Sequence, residues 1–314
     1  MGSADRIPGG PPGRRQLRRV MALIAAVMAG PASAQLLTEG QDLRQIPFRQ
    51  IEAKPFVAVE VEGAAGWMMV DTGTPDALFL NRAALTLGPA PEVGRGFAAS
   101  GQEVVVWLHD APAVSIGGQS FKGPAKLRSG DFSFAMPAYG ADFMGFIGTP
   151  ALQDNVFLID YGREVVTVMH ADAAPPPNAA DLLGQVDFAI WPGAQPTMAG
   201  LVGDRPMLVD MDSGDGGTLY LAPQTKADLL AAGQLRQGPD GLVLAELVLG
   251  GVTFHDLPLA EIVAGGPQDM RSAGALDLLR LGARFLAAHP VLWDFPARRL
   301  VFLRPGATYP PAPN

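Results

Sequence analysis

The sequence predicts a mostly β fold made of two similar lobes with short helices, and three observations support this prediction. Two short motifs, Asp71–Gly73 and Asp212–Gly214, each lie between two apolar runs. Further landmarks follow the two motifs in the same order, which indicates an internal duplication. Glycine (38) and proline (29) are abundant among the 314 residues, as is typical of short strands joined by turns.

The N-terminal segment, residues 1–34, is similar to an export signal. Four arginines precede an apolar run from Val20 to Ala29, and Ala32–Ala34 offers the small residues of a cleavage site. The run is too short to span a bilayer comfortably. We therefore expect a periplasmic or secreted protein with no stable membrane span after signal removal. An N-terminal anchor is the alternative.

Charge and cysteine content restrict the classes of partner. Residues 1–34 contain five Arg and one Asp, so their removal changes the net charge from −8 to −8 − 5 + 1 = −12. An acidic protein is a poor match for nucleic acid. The chain has no cysteine, so its stability depends on the hydrophobic core rather than on disulfides. We expect a monomer.

The first lobe is predicted at residues 35–171. An alternating strand at Phe56–Val61 and a returning strand at Trp67–Val70 form a hairpin that ends at Asp71. Asn81 is placed to cap a short helix that ends at Gly88. Further strands are predicted at Val104–Leu108, Ala113–Ile116, Val156–Asp160 and Val165–Met169.

Residues 172–182 are rich in Ala and Pro and are predicted to link this lobe to a second lobe at residues 183–304. A helix is expected from Pro223 to Gly233, followed by a hairpin turn at Gly238–Gly241. Residues 305–314 form a Pro-rich tail. Strands are predicted at Val186–Ile190, Met207–Met211, Val291–Asp294 and Leu300–Leu303.

The two motifs and their surroundings resemble the aspartic peptidases, with lobes close in size to those of the retropepsin-like group and both lobes in one chain, as in pepsin. In that family each lobe supplies one Asp, which a loop of two apolar residues and a Gly supports. Phe146–Gly148 matches this loop in the first half, and Arg280–Gly282 stands at its place in the second. Asp215 stands where a small or hydroxyl residue is usual.

The resemblance implies an acid-protease fold, a peptide or protein substrate, and no cofactor or metal. It makes Asp71 and Asp212 the catalytic residues. A hairpin flap of small residues would cover the cleft, with a shorter counterpart at Gln237–Leu242. The residues expected to support the catalytic pair are Thr72, Gly73, Thr74, Ser213 and Gly214. The expected flap residues, which would bind substrate, are Phe97, Ala98, Ala99, Ser100 and Gly101.

Two carboxylates within about 3 Å of each other cannot both ionise cheaply, so they share a proton and can activate a water molecule. The sequence therefore predicts an aspartic endopeptidase. Two other interpretations stay open: a catalytically weak or inactive peptide-binding protein on the same fold, and aspartates that only cap turns. The four histidines show no zinc-ligand spacing.

Asp215 leads to a separate expectation about pH. Its charge, three residues after Asp212, would raise the upper apparent pKa of the catalytic pair and favour activity under acidic conditions. If Asp215 instead points into solvent at a turn, screening makes its effect small.

Overall fold

The computed structural model describes residues 35–98, 102–191, 195–260 and 278–310. These residues form a mostly β protein, which confirms the predicted fold class. The expected signal, residues 1–34, lies outside the described residues. Within the described ranges, no helix has both the length and the apolar character needed to cross a membrane.

Twelve strands are described in the first half of the chain. They are β1 (Leu43–Ile51), β2 (Lys54–Val61), β3 (Ala64–Asp71), β4 (Leu78–Asn81), β5 (Glu92–Phe97), β6 (Glu103–Asp110), β7 (Val114–Ile116), β8 (Gln119–Ser120), β9 (Lys126–Gly130), β10 (Phe143–Gly148), β11 (Asn155–Asp160) and β12 (Val165–His170).

Ten strands are described in the second half. They are β13 (Leu182–Trp191), β14 (Gln195–Val202), β15 (Arg205–Asp212), β16 (Leu219–Leu221), β17 (Leu235–Gly238), β18 (Gly241–Leu249), β19 (Val252–Pro258), β20 (Leu278–Gly282), β21 (Val291–Asp294) and β22 (Arg299–Leu303). The described α-helices are Met136–Tyr139, Pro223–Ala231 and Ala283–Ala288, with 3-10 turns at Ser133–Ala135, Thr149–Ala151 and Ala171–Ala173.

Strand pairing around the two Asp motifs is the same in both halves. In the first half β2 and β3 form an antiparallel hairpin, and β10 pairs in parallel with β3 and antiparallel with β4. In the second half β14 and β15 form the hairpin, and β20 pairs in parallel with β15 and antiparallel with β16. Each motif therefore follows a strand that has a hydrogen-bonded neighbour on both sides.

The residues of β3 explain why this strand is buried on both faces. Met68 and Val70 pack into the main hydrophobic core, whereas Met69 between them packs with Phe56 and Phe143 in a separate aromatic cluster. Because successive side chains of a strand point to opposite faces, an unbroken apolar run fits a strand covered on both sides. The end of β3 is held rigidly by this packing.

One antiparallel sheet joins the two halves, with the strand order β1–β12–β11–β21–β22–β13. The pairing of β11 with β21 crosses between the halves, and Phe157 and Trp293 on these strands stack at a centroid distance of 5.4 Å. The strand β13 begins at Leu182, the last residue of the expected linker. In the expected tail, Tyr309 is buried and its hydroxyl donates to the carbonyl oxygen of Pro175, so the tail packs on the linker.

The helix expected to begin at Asn81 is absent, and this prediction was wrong. Asn81 is the last residue of β4, and its side chain is fully buried. The side-chain amide donates to the carbonyl oxygen of Phe143 at 2.7 Å, and its oxygen accepts from the N–H groups of Ala83 and Phe132. These bonds hold a turn instead of a helix. The helix at Pro223 and the turn between β17 and β18 are confirmed.

Candidate active site

The loops after β3 and β15 meet between the two halves and bring Asp71 and Asp212 together. Both strands deliver their Asp beside a glycine on the parallel neighbour, since Gly148 pairs with Asp71 and Gly282 with Asp212. Each carboxyl group packs against the glycine of the opposite motif, Asp71 against Gly214 and Asp212 against Gly73, so the two groups are close neighbours. Carboxyl groups in such contact hold a proton between them, because two adjacent charges are unfavourable.

Backbone and hydroxyl donors orient each carboxyl group. The N–H of Gly73 donates to Oδ1 of Asp71 at 2.8 Å, and the N–H of Gly214 donates to Oδ1 of Asp212 at 2.9 Å. The Thr74 hydroxyl also donates to Oδ2 of Asp71, at 2.8 Å. The Oδ2 atoms of Asp71 and Asp212 therefore have different partners, because Asp215 occupies the position equivalent to Thr74.

Thr72 and Ser213 tie the two loops together and are fully buried. Each N–H donates to the hydroxyl oxygen of the other residue. Each hydroxyl in turn donates to a carbonyl oxygen on the opposite strand, Thr72 to Met211 at 2.9 Å and Ser213 to Val70 at 2.7 Å. The separation of the two aspartates is therefore fixed by hydrogen bonds between the loops.

Glycine is required at positions 73 and 214 because each backbone approaches the opposite aspartate. A Cβ on Gly214 would lie 2.6 Å from Cγ of Asp71, and a Cβ on Gly73 would collide with the carboxyl group of Asp212. Any larger residue at either position would push the two carboxyl groups apart.

Burial and charge perturb the protonation of Asp71. Burial is the largest cause that raises its pKa well above 3.8, followed by the charge of Asp212 and the hydrogen bond to it. The hydrogen bonds from Thr74 and Gly73 act in the opposite direction. Burial and the neighbouring carboxyl group therefore both favour the protonated form of Asp71.

A buried arginine on β20 contacts the second aspartate. The Arg280 guanidinium binds Asp210 through Nε and Nη2, at 3.1 and 2.9 Å, and its Nη1 lies 3.1 Å from Oδ2 of both Asp212 and Asp215. The side chains of Arg280 and Asp210 are only 13% and 3% exposed, so both charges depend on these partners.

The position of Asp215 corrects one of the two expectations about it. Its side chain is 15% exposed and bound to Arg280, so it does not point into solvent at a turn. Burial, followed by the charge of Asp212, raises the pKa of Asp215 to about 7, against the opposing effect of Arg280. Burial likewise raises the pKa of Asp210 against Arg280.

Sequence reasoning missed the link between Arg280 and Asp210. The available signal was a charged residue two positions before Asp212 inside an otherwise apolar strand. Such a residue needs a partner when the strand is buried. The partner could not be identified from sequence alone, because it lies 70 residues further along the chain.

An open cleft of about 1120 Å³ lies beside the two aspartates, and both halves contribute to it. Phe97, at the end of β5, lines the cleft and is 71% exposed, and Ala98 donates its N–H to the carbonyl oxygen of Gln102 at 2.9 Å. The other expected flap residues, Ala99, Ser100 and Gly101, lie outside the described residues. Aromatic side chains of the first half also line the cleft: Phe79, Phe132, Phe134, Tyr139 and Phe146.

The expected second flap, Gln237–Leu242, forms the tight turn between β17 and β18 and is not among the described residues that line the cleft. Charged groups on the cleft wall include Lys54, whose ammonium group donates to the Tyr139 hydroxyl at 2.7 Å. In the part of the chain that the structure describes, no cluster of three or more His, Asp or Glu could hold a metal ion.

Comparison with protein-family models gives no match, and comparison with curated proteins gives none either. Among solved structures, the chain is similar to the aspartic proteinase from Irpex lacteus, with a TM-score of 0.52 and 14% sequence identity. The match covers 85% of this chain and 99% of that one. At this identity the likeness shows the fold, which is the two-lobed β fold of that proteinase.

Proposed function

We propose that this protein is an aspartic endopeptidase that hydrolyses peptide bonds with a water molecule activated between Asp71 and Asp212. The observation that carries the proposal is the close approach of the two carboxyl groups, at the ends of equivalent strands and beside an open cleft. The fold shared with an aspartic proteinase supports the same class of reaction.

The chemistry follows from a pair that holds one proton. The ionised carboxylate takes a proton from the water as its oxygen attacks the peptide carbonyl carbon, and the protonated carboxyl group gives its proton to the carbonyl oxygen. A diol with two hydroxyl groups results. On collapse, one hydroxyl returns its proton to the second carboxylate, the C–N bond breaks, and the leaving nitrogen takes the proton from the first carboxyl group. The pair regains its starting state.

The cleft favours an extended peptide as the substrate. Its aromatic wall offers apolar surface for side chains, and Phe97 extends over it from the end of β5. Binding sites for substrates are typically apolar clefts with few polar groups placed at the reacting atoms. Here those polar groups are the two aspartates and the donors that orient them.

A second candidate function is a peptide-binding protein with weak or no catalysis. The observation that favours it is the contact between Arg280 and Asp212, since a cation at the pair alters the balance of charge that proton sharing needs. Both candidate functions predict that the protein binds peptides, and they differ in whether the bound peptide is cleaved.

The test is cleavage of a peptide library by the purified protein, with and without an aspartic-peptidase inhibitor such as pepstatin. We expect inhibitor-sensitive cleavage that is lost in Asp71→Asn and in Asp212→Asn, each with an unchanged melting temperature. Asp240→Asn, at the exposed turn between β17 and β18, is the matched control and should cleave normally. Peptide binding without cleavage by the wild-type protein would favour the second candidate.

We also propose export to the periplasm or outside the cell, and a monomeric enzyme. The support is the arginine-rich and apolar pattern of residues 1–34 with its small-residue site at Ala32–Ala34. N-terminal sequencing of the protein isolated from its cells should find a mature chain that begins near Gln35. A chain that retains residues 1–34 would contradict signal cleavage.

A further inference from the structure

The surroundings of the two aspartates differ at three equivalent positions. In the first half, Met69 on β3 pairs with Phe146 on β10, and both side chains are apolar. In the second half, the equivalent register position pairs Asp210 on β15 with Arg280 on β20. The third difference is Asp215, which stands where the first half has Thr74.

These three differences form one connected set. Arg280 uses two of its nitrogens on Asp210, and this fixes the plane of the guanidinium so that Nη1 faces Asp212 and Asp215. A buried guanidinium without partners would be strongly unfavourable, and so would Asp210 without Arg280. The ion pair between β15 and β20 therefore serves to hold one N–H group of Arg280 against Asp212.

Asp71 has different partners. Its carboxyl group accepts hydrogen bonds from the Thr74 hydroxyl and the Gly73 N–H, and it lies close to Asp212. Of these three groups, only Asp212 is ionisable. A carboxylate beside a cation is stabilised in its charged form, whereas one beside another carboxylate is stabilised in its neutral form.

We propose that Arg280 is a positioning residue that makes the catalytic pair asymmetric, with Asp212 as the anion that accepts the proton of water and Asp71 as the acid that protonates the peptide carbonyl. The inference rests on the proposed peptidase function for its roles in catalysis. The asymmetry itself is a property of the protein without substrate.

The other groups that face Asp212 do not reverse this polarity. Burial raises the pKa of Tyr161 and of Tyr220, so both phenols stay neutral. The charge of Lys54 lowers the pKa of Tyr220 but does not outweigh the effect of burial. Burial raises the pKa of Asp215 to about 7, so below that pH its neutral carboxyl group competes only weakly with Asp212 for Nη1 of Arg280. Among the described residues, the charged and titratable groups that interact with Asp212 are Asp71 at the end of β3, Asp210 on β15, Asp215 in the next loop, Tyr220 on β16, Arg280 on β20 and Tyr161 after β11.

The test gives the second half the side chains of the first. The triple variant Asp210→Met/Arg280→Phe/Asp215→Thr copies Met69, Phe146 and Thr74, and it leaves no charge of the set unpaired. Should this variant not fold, Asp210→Asn/Arg280→Gln, which also removes both charges of the ion pair, takes its place with the same expected result. The matched control is Arg236→Gln, which breaks the exposed ion pair with Asp256.

The first measurement needs no turnover. The full chain is labelled with ¹³C at the aspartate carboxyl groups and titrated by NMR, and Asp71→Asn and Asp212→Asn assign the two signals. In the wild type and in Arg236→Gln, we expect the Asp71 signal to gain its proton at higher pH than the Asp212 signal. In the triple variant the two signals should titrate together.

The second measurement is the pH profile of kcat/KM. Removal of Arg280 should move the acid limb upward by about one pH unit, since an adjacent cation shifts a carboxyl pKa by about 1–3 units. Superimposable titrations of the wild type and the triple variant would overturn the proposal. It would also be overturned if, in the wild type, the Asp212 signal gained its proton at higher pH than the Asp71 signal. An asymmetry that disappears with Arg280, in a protein that cleaves no peptide, would support the positioning role and reject the peptidase.

Discussion

The backbone N–H groups of Thr72 and Ser213 each donate to the hydroxyl oxygen of the other residue, at 3.0 Å in both directions. This reciprocal pair links the loops that carry the two aspartates. Because all four groups are buried, loss of one hydroxyl leaves an N–H group of the opposite loop without its partner. The stability of the protein and the spacing of the site therefore depend on the same bonds.

Thr72→Val should lower the free energy of unfolding by about 1–3 kcal/mol, because the N–H of Ser213 loses its acceptor in a buried place. Urea unfolding at fixed pH measures this change. Thr72→Ser keeps the hydroxyl and is the matched control, with a smaller expected loss. The double variant Thr72→Val/Ser213→Ala should cost less than the sum of the single changes. Equal losses in Thr72→Val and Thr72→Ser would argue against a role for the hydroxyl.

Gly214→Ala should reduce kcat/KM about 100-fold, since displacement of reacting groups by about 1 Å has effects of this size. The added methyl group would lie 2.6 Å from Cγ of Asp71, so the two carboxyl groups must separate. Steady-state kinetics on a cleaved peptide gives the result. Gly88→Ala is the control, because a Cβ there meets nothing within 4 Å. Full activity in Gly214→Ala would show that the pair tolerates a wider spacing.

Phe97→Ala should raise KM about tenfold without changing the melting temperature. The side chain is 71% exposed in the free protein and lines the cleft, so its apolar surface becomes buried only when a peptide binds. Burial of such a side chain contributes about 1.5–3 kcal/mol, and 1.4 kcal/mol corresponds to about tenfold in affinity. The exposed Leu230, on the helix Pro223–Ala231, provides the control Leu230→Ala. An unchanged KM would place the substrate away from β5.

The stability of the protein should fall as the pH rises from about 4 to about 7, in part because of Asp215. Its pKa is 3.8 when unperturbed and about 7 in the folded protein, so the folded state binds the additional proton in this range. The contribution of Asp215 is complete below pH 4 and is lost as the pH passes 7.

Melting temperatures between pH 4 and pH 8 test this expectation. Asp215→Asn should show a smaller fall than the wild type, because its side chain has no proton to lose. The exposed Asp240 provides the control Asp240→Asn, which should follow the wild-type curve. Parallel curves for all three proteins would mean that Asp215 titrates alike in the folded and unfolded chains.

Local sequence patterns predicted the strands that end at the two motifs, the helix at Pro223 and the turn at Gly238–Gly241. These elements depend on alternation, apolar runs and turn residues, all of which lie within a few positions of each other. The helix at Asn81 was predicted wrongly because its side chain finds distant partners, the backbones of Phe143 and Phe132. Local capping rules do not include such partners.

The candidate site was predictable to a similar extent. The two aspartates and the residues next to them follow from matched motifs in one sequence. Arg280 was visible only as a departure from an apolar loop, and its partner Asp210 was not identified. Their pairing depends on β15 and β20 lying in parallel register, which is a tertiary property. Buried ion pairs between distant strands leave no spacing signal in a single sequence.

The position of β22 in the sheet that joins the halves sets how late in synthesis of the chain that sheet can be completed. This strand, Arg299–Leu303, lies between β13 and β21, and β21 pairs with β11 of the first half. A growing chain on the ribosome thus lacks a central strand of this sheet until residue 303 has emerged, long after both aspartates have left the exit tunnel. A nascent chain therefore holds both carboxylates well before the sheet that joins its two halves can be completed.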